Sequence, residues 1–116
     1  MGGTNVMSLA DWLVEKRALL EGAMFVAIAE IELKKGKEEA FKKWFSQSNR
    51  VLAGQDGFIA RRLLKSPAGQ HIIMVLMESR EAFAKMHTTQ EHARLHAEAL
   101  AFMARPPKIS AYESAA

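Results

Sequence analysis

Residues 58–78, FIARRLLKSPAGQHIIMVLME, decide the fold. Phe58 to Lys65 and Gln70 to Glu78 are rich in β-branched and large apolar residues, and each has the length of a strand. Ser66-Pro67-Ala68-Gly69 between them is a turn sequence, so the two runs predict a hairpin. Working outward, Asp56-Gly57 closes a loop that begins at Ala53. Before it, at 100° per residue, Phe41, Phe45, Ser48 and Leu52 fall on one arc, with Trp44 and Val51 beside it. That spacing predicts a helix over 37–52. Lys35-Gly36 is a turn, and Met24 to Leu33 (MFVAIAEIEL) reads as a strand.

On the other side of the hairpin, Ser79 can cap a short helix over about 80–87. Thr89 or Gln90 begins a second helix to about Ala104, where Pro106-Pro107 stops it. Lys108 to Glu113 (KISAYE) is a last strand. The order β-α-β-β-α-β is that of a ferredoxin-like α+β sandwich over 24–114. Residues 1–23 precede it. Residues 1–7 read as a loose leader ahead of a start at Met7. Leu9, Trp12, Leu13, Leu19 and Leu20 then repeat at helical spacing, which predicts an amphipathic N-terminal helix over about 9–21.

Two strands are apolar on both faces. Phe25, Ala27, Ala29 and Ile31 oppose Met24, Val26 and Ile28, and Ile73, Val75 and Met77 oppose Ile72, Met74 and Leu76. Helices cover one face of such a sheet, so the other needs a cover of its own. A second copy of the chain, sheet against sheet, is the economical cover. The N-terminal helix competes for the same role.

With 116 residues there is chain for one core only. The composition is 49% hydrophobic and 25% charged, which is ordinary for a globular domain. The longest wholly apolar run, Met24 to Ala29, is 6 residues, far short of the about 20 a membrane span requires. The net charge is only +3, and Glu38 and Glu39 interrupt the densest basic group, so neither nucleic acid nor a membrane is an expected partner. No cysteine is present, which removes disulfides and thiolate chemistry and is compatible with a cytoplasmic setting. No Walker, dinucleotide-binding or nucleophile-elbow motif occurs.

The residues able to carry chemistry lie on the 90–104 helix. With Leu95 at the origin, His92 falls at about 60° and His96 at about 100°, among Phe102, Ala99 and Met103. Imidazoles on an apolar arc need partners. They are haem ligands, metal ligands, proton carriers or satisfied core residues. The H-x-x-x-H spacing suits a shared metal, but no third ligand is evident: Glu78 and His87 are distant. No metal site is therefore assigned. His71 and His87 read as surface residues. Arg61 and Arg62 point to opposite faces of their strand, so one of them either meets an anion inside or guards the edge.

Asp56-Gly57-Phe58, Met77-Glu78-Ser79-Arg80-Glu81-Ala82-Phe83, MHTTQEHARLH over 86–96 and PKISAYE over 107–113 together resemble the antibiotic biosynthesis monooxygenase (ABM) domain. The likeness spans about residues 24–114 and is greatest to the branch described as haem-degrading. It implies a homodimer whose sheets form a shared α/β barrel, with a pocket in each subunit between helices and sheet. It also implies an oxidoreductase, a monooxygenase acting on an aromatic or porphyrin-like small molecule, either with no cofactor or with haem. A non-catalytic small-molecule or haem-binding barrel is the alternative. By position, His96 corresponds to the haem ligand of that branch. Met86 and Ala29 stand where its members carry Trp and Asn. His96 and His92 are the expected catalytic pair, and His96 and Met86 the expected cofactor contacts.

Overall fold

A computed structural model describes residues 25–115. The expected leader and N-terminal helix lie outside the described residues. Within them the chain forms β1 (Phe25–Ile31), α1 (Glu38–Leu52), β2 (Phe58–Lys65), β3 (His71–Met77), α2 (Arg80–Met86), α3 (Gln90–Leu100) and β4 (Lys108–Glu113). The strands make one antiparallel sheet in the order β2-β3-β1-β4. This is the ferredoxin-like arrangement with three helices, as the element order predicts.

Local chemistry sets the boundaries. Ser79 accepts a bond from the Ala82 N–H at 3.0 Å and so caps α2. Thr89 accepts one from the His92 N–H at 3.2 Å and so caps α3. α3 ends at Leu100, four residues before the expected Ala104. The chain leaves it in turns because the segment is drawn back to the end of β1. Lys34 N–H bonds the Phe102 carbonyl and Ala104 N–H bonds the Glu32 carbonyl, each at 2.8 Å.

The helix-facing side of the sheet holds two apolar clusters. One gathers Phe25, Ala27, Leu52, Met77, Met86 and Leu95. The other gathers Ile31, Phe41, Phe45, Ile73, Ala99 and Met103. All four residues placed on the buried arc of α1 by the helical wheel (Phe41, Phe45, Ser48 and Leu52) are buried. On the opposite face, Val26, Ile59 and Met74 pack around buried Ala60 and Leu76. The side chain of Tyr112, which pairs with Val26 in the ladder, is exposed.

His71 corrects a sequence expectation. It opens β3 but is buried, 7% exposed, and its Nε2 lies 3.3 Å from Glu38 Oε2. Glu38 also receives Lys65 Nζ at 2.9 Å. The start of α1 therefore closes over the end of the hairpin, a contact between residues 33 apart in sequence that no local pattern reports.

Candidate functional site

Between the two apolar clusters lies a cavity of about 380 Å³. It exists because small residues occupy both of its walls: Ala27 and Ala29 on β1, Ala93 and Ala99 on α3. Larger side chains there would fill it at ordinary packing density. Ile31, Ile73, Val75, Leu52, Leu95, Met86 and Met103 complete an apolar lining. Its remaining lining includes Trp44, Arg61, His87, His92 and His96. Among the described residues neither aspartate nor glutamate lines it.

The structure brings His92, His96 and Met86 to this one cavity. Met86 is buried, His92 half-buried and His96 exposed. The buried positions of α3 are Leu95 and Ala99, so the histidines sit on the cavity flank of the helix rather than in packed core. His87, expected on the surface, is exposed yet lines the cavity as well. Its ring centroid is 4.0 Å from that of His92 and 4.2 Å from that of Phe83. Phe83 in turn lies 4.9 Å from Phe25, and His92 lies 6.2 Å from His96 with the rings nearly parallel at 12°. A row of rings thus runs from β1 through α2 to α3.

Burial and the neighbouring charges set the state of His92. His87 Nδ1 lies 2.9 Å from the Phe83 carbonyl, so hydrogen on Nδ1 is the tautomer that satisfies both. Burial, then the neighbouring His87, His96 and Arg61, push His92 down to about 4. His92 is therefore a neutral imidazole at pH 7, able to accept a proton. Among the described residues no three His, Asp or Glu side chains are grouped to hold a metal ion.

Arg61 answers the question left by the Arg61-Arg62 pair: it is the one that points inward. Its Nε donates to Asn49 Oδ1 at 2.8 Å, and its Nη2 donates to Ser48 Oγ and to the Phe45 carbonyl at 3.3 Å. Its guanidinium carbon stands 4.0 Å from the Phe45 ring centroid and 5.9 Å from that of Trp44. The sequence did carry a signal for this inward charge. Ser48 sits on the buried arc of α1 between Phe45 and Leu52, and a polar residue there needs a buried partner. Trp44 Nε1 donates to Glu98 Oε1 at 2.8 Å, which joins α1 to α3 above the cavity.

The profile of the antibiotic biosynthesis monooxygenase family matches residues 24–98, and the chain belongs to that family. The fold recurs in solved structures. A Nitrosomonas europaea protein named for the same monooxygenases superposes with a TM-score of 0.71 at 22% identity, over 81% of this chain and 92% of that one. A Caulobacter crescentus protein of the same naming gives 0.71 at 21% identity, over 88% and 99%. SnoaB, a cofactor-independent oxygenase from Streptomyces nogalater, gives 0.69 at 13% identity, over 80% and 94%. No curated protein matches the chain. Among the described residues no helix is long and apolar enough to cross a membrane.

Proposed function

We propose that the chain is a monooxygenase that oxidises an electron-rich aromatic small molecule inside this cavity, and that it does so without a cofactor. The observation that carries the reading is the pairing of an apolar cavity of about 380 Å³ with a neutral imidazole, His92, in its wall. Apolar walls would desolvate a flat substrate, and His92 would take the proton that must leave before an electron-rich ring can reduce O₂. For a methylene held between aromatic rings the balance is R₂CH₂ + O₂ → R₂C=O + H₂O. The substrate supplies all four electrons, so no external reductant enters. His96, at the exposed end of the imidazole row, would pass the proton to water.

The test is oxygen uptake by the chelator-treated protein with anthrone as substrate. Uptake with formation of anthraquinone, lost in His92→Phe, supports the reading. Binding without oxygen uptake would identify a non-catalytic binding protein instead.

Haem fits these residues poorly. His96 offers one imidazole, but Met86 and Ala29 offer no hydrogen-bond donor to an iron-bound group. Haemin titrated into the wild type should give no histidine-type Soret band. A band that His96→Ala removes would reverse that expectation.

We also propose a homodimer formed through the sheet face opposite the helices, which carries Val26, Met74 and the exposed Tyr112. Light scattering should report twice the chain mass, and Met74→Glu should shift it toward the monomer.

A further inference from the structure

We propose that Arg61 makes the cavity selective for anionic aromatic ligands, by pairing with an ionised oxygen carried on a flat apolar body. This deepens the functional reading above and rests on it for the cavity being the ligand site.

A guanidinium carried out of water loses hydration that only counter-charge or hydrogen bonds replace. Among the described residues Arg61 has hydrogen bonds but no counter-charge. Its three partners, Asn49 Oδ1, Ser48 Oγ and the Phe45 carbonyl, are neutral. No carboxylate among the described residues forms an ion pair with it. The nearby acid on α3, Glu98, is taken up by Trp44 Nε1 and Arg94 Nη1. The bonds to α1 use Nε and Nη2, so Nη1 enters none of them.

The clamp also fixes direction. Phe45, Ser48 and Asn49 lie three and four residues apart on α1, hence on one face, and together they hold the guanidinium against the Phe45 ring. A side chain so held has lost its rotamer freedom before a ligand arrives, which favours binding. The rest of the lining supports the same polarity. Among the described residues its ionisable groups are Arg61 and three imidazoles, with no acid among them. Burial lowers Arg61 to about 10, and it stays charged at pH 7. Among the described residues an anion placed in this cavity meets one fixed cation and no carboxylate to repel it.

The experiment compares 2-naphthoate with 2-naphthamide, which share shape and differ in charge, by calorimetric titration into the full chain at pH 7. The naphthoate should bind roughly tenfold tighter, as a charge-assisted hydrogen bond predicts. Arg61→Gln should erase that preference, bringing the two affinities within about twofold of each other. Arg61→Lys, which keeps the charge, should retain part of the preference and guards against a Gln variant that fails to fold. Equal binding of acid and amide to wild type would overturn the proposal while leaving the cavity as a ligand site. Binding of neither at millimolar concentration would overturn both. A naphthoate preference that survives in a folded Arg61→Gln protein would place the anion site elsewhere and overturn the assignment to Arg61.

Discussion

Trp44 on α1 and Glu98 on α3, 54 residues apart, are joined by a 2.8 Å hydrogen bond, and Glu98 alone links the indole to the outer charge of Arg94. The indole N–H pulls Glu98 below its ordinary range, helped by Arg94. The bond holds together the two helices that roof the cavity. Glu98→Ala leaves a part-buried N–H without its acceptor and should cost about 1–2 kcal/mol. Thermal melting should show a drop of roughly 4–16 °C at the usual scaling for a domain near this size. Glu98→Gln keeps an acceptor oxygen and should lose less than half as much.

Two glycines form a matched pair. Gly57 has φ +77°, and a Cβ there would stand 2.4 Å from the Ala82 Cβ on α2. Gly36 has φ +79° and open space around the same position. Gly36→Ala should therefore cost only the left-handed backbone penalty, about 1 kcal/mol. Gly57→Ala must also push α2 off the sheet and should cost clearly more. Urea unfolding of the two variants checks this, and equal midpoints would refute it.

Acid should unfold the protein in two overlapping stages. His92 holds its proton less tightly when folded, about 4 against an ordinary 6.5. The unfolded chain then binds more protons, so stability falls as pH drops from 6.5 to 4. Glu38 is held at about 2 against an ordinary 4.5, chiefly by its bond to Lys65 and also by His71. Its contribution is present above pH 4.5 and is lost as pH falls toward 2. Stability measured from pH 7 down should flatten between 6.5 and 4 in His92→Asn. It should flatten below 4.5 in Glu38→Gln.

Filling the cavity should separate binding from folding. Ala29→Leu adds hydrocarbon where β1 faces open space lined by Ile73, Met103 and other apolar groups. Folding should be unchanged or improved, because new apolar surface is buried without displacing a packed side chain. Aromatic ligand binding measured by calorimetry should be lost. A variant that binds 2-naphthoate as wild type does would show that ligands use another surface.

Much of the fold was legible because its signals are local. The turn at 66–69, the caps Ser79 and Thr89 and the α1 arc each depend on neighbours within a few residues. The candidate site was legible only in part. His92 and His96 announced themselves by helical spacing, but the wheel left open whether their apolar arc faced packed core or a cavity, and they border a cavity. The wheel gives direction and not what lies in that direction. Ser48 on the buried arc of α1 called for a polar partner, but that this partner includes Arg61 became plain only once β2 had paired with β3, Arg61 opposite Val75. His71 was misplaced because its partner Glu38 belongs to a different element.

The break between α2 and α3 has an evolutionary consequence. On one continuous helix His87 and His92 would point about 140° apart, but the interruption at His87–Thr89 brings their tilted rings to 4.0 Å between centroids. Adding or deleting a residue in that short joint would swivel α3 while leaving every strand ladder in register. One half of the cavity wall can therefore be re-cut independently of the sheet that carries the other half. Because Leu95 and Ala99 of that helix also belong to the two apolar clusters, a lineage that changed the joint by a single codon would inherit a new cavity outline and a new packing problem together.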